Sequence, residues 1–333
     1  MKAIRLASAL FFFAVFSDAG AQEKKLQRLN FSYPSLTKTR VALWIGKDDG
    51  IFEKYGLDVS LVVIRSGITS VSALVNGEID VLGGPASTSI LAAESGLPVV
   101  IIGTFGPASR KLVVPERIRS VEELKGKTIG VSNFGTIIDY SVRRALPKLG
   151  LTPGKDVNVI PTGLSQPVQR MMLMFQGKID ATLASEDEIY AIEAMGHKVR
   201  ILAELRDLGI HTTISDLSTT RDFLKNRRAV VKSFLMGLSE AVAVAKKNKE
   251  VALKAFRRHM KADDPKLLDL MYKDYIVDAA PVIPYPLVEA IKTDIEILSA
   301  TRPGFKDKKP TDFTDITVLK ELESEGFFAR LSR

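Results

Sequence analysis

Short apolar runs alternate with short amphipathic ones along this chain, and glycine or proline marks almost every change. Residues 26–33 read as a strand, and residues 37–55 carry a helical segment that stops at Gly56. Residues 58–64 (DVSLVVI) are rich in β-branched side chains and lie between Gly56 and Gly67, as a buried parallel strand would. A helix over 70–76, a strand over 80–82, a helix over 87–95 and a strand over 99–104 follow. Strands alternating with short helices predict βαβ units and a mostly parallel sheet. The pattern then restarts: a short helix over 120–126 with Ser120 and Glu123 as a capping box, a strand over 127–131, and a helix over 137–149. Strands over 158–161, 181–184 and 199–203 complete a second half.

The two halves echo each other at a spacing of 100 residues. Asn76, Gly77, Glu78, Ile79 and Asp80 are followed by Gly96 and Val99; Gln176, Gly177, Lys178, Ile179 and Asp180 are followed by Gly196 and Val199. In each copy a glycine caps a helix in the left-handed conformation and an aspartate tightens the turn into a strand. The repeat predicts two similar α/β lobes. From Ser218 onward the chain reads as helical. Val231, Phe234, Leu235, Leu238, Ala241, Val242 and Ala245 keep a 3.6-residue period, and Asp264 with Pro265 opens a further helix. These helices are expected to pack on the first lobe, which makes the chain cross between lobes twice.

The N-terminal stretch differs from the rest. Lys2 and Arg5 precede an apolar run over 6–16, and Ala19, Gly20 and Ala21 supply small residues before Gln22. That is the layout of a secretory signal peptide over residues 1–21. Eleven apolar residues at ~1.5 Å each are too short for a ~30 Å hydrocarbon core. The expected location is therefore periplasmic. With no cysteine in 333 residues, disulfides, thiol catalysis and thiolate metal sites are all excluded. The net charge of +8 suits an anionic partner, but the basic residues are scattered without interleaved aromatics, so no nucleic-acid partner is expected.

Asn30 to Pro34 (NFSYP), Gly50 to Val59 (GIFEKYGLDV), Asn76 to Asp80 (NGEID), Ser120 to Val131 (SVEELKGKTIGV) and Gly177 to Asp180 (GKID) together resemble the sulfonate, taurine, nitrate and thiamine-precursor binding proteins that serve ABC importers. The resemblance covers essentially the whole chain after the leader. It implies a type II periplasmic-binding-protein fold, α/β, with two Rossmann-like lobes joined by a two-strand hinge near residues 113–115 and 211–215. Lobe 1 would comprise residues 22–115 plus 213–333, and lobe 2 residues 116–212. A monomer that closes on a small molecule and docks on an ABC-transporter permease is the implied mode of action.

In open α/β sheets, ligands lie beyond the carboxyl ends of the strands, near helix N-termini. The loops at those ends supply the candidate ligand contacts: Tyr33, Ser35 and Leu36; Arg65 and Ser66; Gly84, Pro85 and Ser87; Ser132, Asn133, Phe134, Gly135 and Thr136; Leu164 and Ser165; Ser185 and Glu186. The hydroxyls among them serve equally well as helix caps. Arg65 could clamp a carboxylate or sulfonate in bidentate fashion, or simply be solvated. Glu186 would discourage an anion or recognise an amine. Trp44, the sole tryptophan, is read as core rather than as a stacking platform. His197, His211 and His259 are too dispersed for a metal site, and no P-loop, nucleophile elbow or dinucleotide fingerprint occurs, so no cofactor and no metal are expected. A small organic anion is the expected solute. Two other readings stay open: a sensory module for a membrane kinase, and an enzyme related to thiamine-pyrimidine synthases, against which the lack of cysteine counts.

Overall fold

The computed structural model describes residues 25–331 apart from residues 109, 214, 215, 300 and 301; the expected leader lies outside the described residues. Ten strands form two sheets of like topology. In the first lobe they are β1 (Gln27–Tyr33), β2 (Leu57–Val63), β3 (Val81–Gly84) and β4 (Val99–Thr104), joined by β10 (Asp216–Thr220) in the order β2-β1-β3-β10-β4. In the second they are β5 (Lys111–Pro115), β6 (Thr128–Val131), β7 (Asn158–Pro161), β8 (Thr182–Ala184) and β9 (Val199–Glu204). Here β6 pairs with β7 and β5 lies between β8 and β9, and a parallel bridge from Ile129 to Ala181 joins the two groups. The order β7-β6-β8-β5-β9 therefore mirrors the first sheet, with one antiparallel strand in the fourth place of each.

The sequence echo becomes a structural register. Helices Gly67–Val75 and Pro167–Phe175 are equivalent, as are Ala86–Glu94 and Glu186–Ala194. β10 places Asp216, Leu217 and Ser218 opposite Gly84, Gly83 and Leu82; β5 places Lys111, Leu112 and Val113 opposite Ala184, Leu183 and Thr182. Both antiparallel strands then slip by one residue at the same point of their other neighbour. Gly77 and Gly177, at φ 75° and 72°, end equivalent helices in a conformation that a Cβ would strain.

Two boundaries differ from the sequence reading. Residues 111–115, expected in lobe 1, are hydrogen-bonded into the second sheet, so the first crossing comes earlier, over residues 105–110. Residues 218–220, expected to begin the helical region, belong instead to the antiparallel strand Asp216–Thr220 of the first sheet. Ser218 and Thr219 are buried between two neighbouring strands, where tertiary pairing overrides weak propensity. Of the expected hinge, residues 214 and 215 lie outside the described residues, but Ala108 N–H donates to Thr212 O at 2.9 Å, tying the two crossings together. The helix expected over 120–126 is one tight turn, Glu122–Leu124, and Glu123 accepts from Arg119 N–H at 3.0 Å instead of from Ser120.

The main core lies between the first sheet and the C-terminal helices, as the apolar period predicts. In helix Arg228–Lys247 all seven periodic residues are buried, and Phe234 stacks between Phe31 and Phe52 at 5.6 Å from each. The Phe52 ring fits only because Gly46 and Gly237 flank it; a Cβ on either would come within 2.6 Å. Trp44 is completely buried and stacks on His259 at 4.9 Å, in agreement with a core role.

Candidate functional site

The carboxyl ends of the two sheets face each other across a cleft, and the helices that follow the strands point their N-termini into it. The repeat gives this cleft two related halves. In one, the loop after β1 (Leu36, Thr37) meets Gln166, Ser185 and Glu188 of the second lobe around a cavity of about 200 Å3. In the other, Ser66 and Thr88 of the first lobe meet Asn133 and Thr136 of the second around a cavity of about 1000 Å3.

The small half is latched by ion pairs. Lys38 bonds Asp187 at the start of helix Glu186–Ala194 and reaches Asp274 at 2.7 Å. Lys38 is buried, and its two carboxylate partners hold its ammonium pKa above the usual lysine range although burial opposes them. Asp187 is held below its ordinary value by Lys38, against the burial that would raise it. Arg110 pairs with Glu188 at 3.1 Å, and Tyr190 Oη donates to both Asp264 oxygens across the lobes. A third cavity of about 230 Å3 lies beside the hinge, where Lys111 sits between Glu204 at 2.6 Å and Glu186 at 3.4 Å. The Glu186 charge is therefore matched from within.

The helix N-termini at the cleft are already engaged. Ser185 and Glu188 form a capping box. Thr136 Oγ1 accepts from Asp139 N–H, and Asp139 accepts from Gly135 N–H at 3.0 Å. Ser132 and Thr136 share a hydroxyl hydrogen bond at 3.0 Å, and Ser66 caps its helix through Thr69 N–H at 3.3 Å. At Gly84, Pro85 and Ser87 the arrangement was not foreseen: the N–H groups of Ala86 and Ser87 donate to the buried carboxyls of Asp216 and Asp294. Burial pushes Asp216 up to about 7, against its hydrogen bonds from Thr213, Thr104 and Ala86 and the charge of Arg40. Burial and the neighbouring Asp216 push Asp294 up to about 8. Arg40 is buried beside them with its guanidinium 5.1 Å from the Phe105 ring centre, and burial lowers its pKa to about 10.

Of the remaining sequence candidates, Leu36, Asn133 and Phe134 are exposed at the cleft, whereas Tyr33 is buried beneath it. Arg65 is exposed and lines none of these three cavities. Leu164 and Ser165 are anchored from behind: Arg170, fully buried, donates to their carbonyls at 2.9 and 3.0 Å and to Thr182 Oγ1 at 3.1 Å. Sequence reasoning stopped the first loop at Leu36 and so missed Lys38 and Arg40, two and four residues further on. It had no local signal for Asp187, Asp274 and Asp216, which only the tertiary fold brings to them, nor for Asp294 beside Asp216. Among the described residues no group of three or more His, Asp or Glu side chains is placed to hold a metal ion, and no helix is long and apolar enough to cross a membrane.

Comparison with known proteins agrees with this geometry. The periplasmic aliphatic sulphonate binding protein SsuA of Escherichia coli superposes with a TM-score of 0.69 at 20% identity, over 87% of this chain and 92% of that one. SsuA of Xanthomonas axonopodis pv. citri, solved with MOPS bound, superposes at 0.62 with 20% identity, over 83% and 93%. These likenesses establish the two-lobed periplasmic-binding fold. A candidate binding protein of Brucella abortus (strain 2308) is 37% identical over 118 residues, which is 35% of this chain and 35% of that relative's length. The model of the family described as NMT1/THI5 like matches residues 39–252, well over half of the chain, and the protein belongs to that family.

Proposed function

We propose that this chain is the extracytoplasmic solute-binding component of an ABC importer, which holds a small organic solute between its lobes and presents the closed pair to a permease. The observation that carries this reading is the cleft itself. Two lobes of like topology are joined by a double crossing, by side-chain latches and by the packing of helix Glu186–Ala194 on helix Pro265–Met271, while no strand is shared between their sheets, so the walls of the cleft can separate and close around a solute without disturbing either sheet. The sulfonate-binding relatives of the same fold support the reading, and with it an organic acid as solute. The cations Lys38, Arg110 and Lys111 are matched by carboxylates, so such an acid would be held by hydroxyl and N–H groups or would displace one of those carboxylates. We take the reading to be one of binding without turnover, by a monomer exported through a leader at residues 1–21.

The test is a thermal-shift screen of the purified protein against sulfonates, carboxylates, amino acids, pyrimidines and purines, with product analysis of every hit. A solute present at 100 times its dissociation constant stabilises the folded state by ~2.7 kcal/mol. A shift without product supports a binding protein. A shift accompanied by product moves the reading to an enzyme, and silence across the panel counts against solute capture.

A further inference from the structure

The open half of the cleft continues into a groove between helices Gly67–Val75 and Ala86–Glu94 of the first lobe. None of the residues along it is charged, in contrast to the two smaller cavities, where acids and bases alternate. The second lobe explains why the groove exists. Where the first lobe has Val71, Val75 and Ala92, the equivalent helices carry Met171, Phe175 and Ile192. There the Phe175 ring stacks on His197 at 4.2 Å, while the matching pair, Val75 and Leu97, leaves the space between the helices free. At these three positions the first lobe carries the smaller side chains, and its groove runs between them. At its mouth stands Ile68, 86% exposed, more than any other large hydrophobic side chain among the described residues. Together Ile68 and the uncharged groove form a continuous apolar surface, the kind that marks a ligand-binding groove.

We propose that this groove receives the uncharged, apolar body of the solute, while the hydroxyl and amide groups of Ser66, Thr88, Asn133 and Thr136 hold its polar end at the cleft. The inference rests on the solute-binding reading and narrows it: the solute has an apolar body of ring size, and is not a small inorganic or fully polar ion.

The test uses N-phenyl-1-naphthylamine, a neutral probe whose fluorescence rises in apolar surroundings. The wild-type protein is expected to bind it saturably. Val75→Phe and Ala92→Ile, which copy the second lobe and fill the groove, should weaken it at least tenfold without lowering the melting temperature. Ile68→Glu, at an exposed position that tolerates charge, should do the same should the filling variants fold poorly. Val288→Glu, at an exposed position outside the cleft, should leave probe binding unchanged. Equal binding by wild type, Val75→Phe and Ile68→Glu would overturn the groove, as would loss of binding in Val288→Glu alone. A solute that stabilises wild type and Val75→Phe alike without displacing the probe overturns the groove and leaves the solute-binding reading intact. Groove-dependent probe binding that no solute displaces would instead sink the solute-binding reading.

Discussion

Lys38, two residues past Leu36 in the loop after the first strand, bonds Asp187 on the opposite lobe while holding Asp274 of its own lobe at 2.7 Å. One buried ammonium thus spans the cleft. Removing it leaves two carboxylates facing each other with no cation between them. Lys38→Met is expected to destabilise the protein by ~3 kcal/mol and to enlarge the radius of gyration in solution scattering. An unchanged radius would show that the latch does not hold the lobes together.

The paired acids beneath helix Ala86–Glu94 predict a pH dependence of definite sign. Asp216 and Asp294 sit at about 7 and about 8 when folded, well above an unfolded aspartate. The native state therefore binds more protons between about pH 4 and 8, and stability falls as pH rises through that window, by at most ~1.4 kcal/mol per pH unit for each proton. Melting temperature should drop from pH 5 to pH 8, and Asp294→Asn should flatten the slope and raise the melting temperature at pH 8. A curve that rises across this window in the wild type would contradict the assignment.

Arg170 and Ser70 occupy equivalent places in the two lobes and do equivalent work: Ser70 Oγ donates to Ile64 O at 3.3 Å, and Arg170 to Leu164 O at 2.9 Å. The arginine also secures Ser165, Thr182 and Leu183, so its loss exposes several buried acceptors at once. Arg170→Ala should cost ~3 kcal/mol, read as a lower midpoint in urea, whereas Ser70→Ala should cost ~1 kcal/mol. Similar costs for both would mean that the buried guanidinium adds nothing beyond one hydrogen bond.

Asp80 and Asp180 offer a matched pair. Asp80 accepts the N–H of Asn30 at 2.7 Å and Asp180 that of Thr128 at 3.1 Å, each tying a turn to an equivalent strand, β1 in one lobe and β6 in the other. Replacing either by alanine should destabilise by ~1–2 kcal/mol, and because the sites lie in different lobes the double variant should show the sum. Strong non-additivity in equilibrium unfolding would reveal coupling between lobes that these contacts do not provide.

These aspartates also show what was legible in the chain. The repeat at 100 residues, the glycine stops and the buried face of helix Arg228–Lys247 rest on local periodicity, and local periodicity can be read directly. Residues 216–220 could not be recognised as a strand, since their serines and threonines become buried only by insertion between β3 and β4. The candidate loops do follow the strands, but the side chains that meet there could not be read from the sequence. A lone Lys38, Arg40 or Asp294 has no sequence partner, and whether a helix N-terminus stays free depends on side chains 100 to 200 residues away. The groove was hidden for the same reason: Val75 and Ala92 are ordinary helix residues until compared with Phe175 and Ile192.

The placing of β10 has a consequence for the order in which the molecule can be made. Among the described strands β4 pairs with β10 alone, and that strand, which joins it to β3, is synthesised more than 100 residues later. A growing chain that has emerged as far as Thr104 holds two unjoined pieces of its first sheet. It cannot join them until the entire second lobe has followed. The final ordering step is then a long-range closure, slow by nature, and the first half of the chain waits unfinished while the rest arrives.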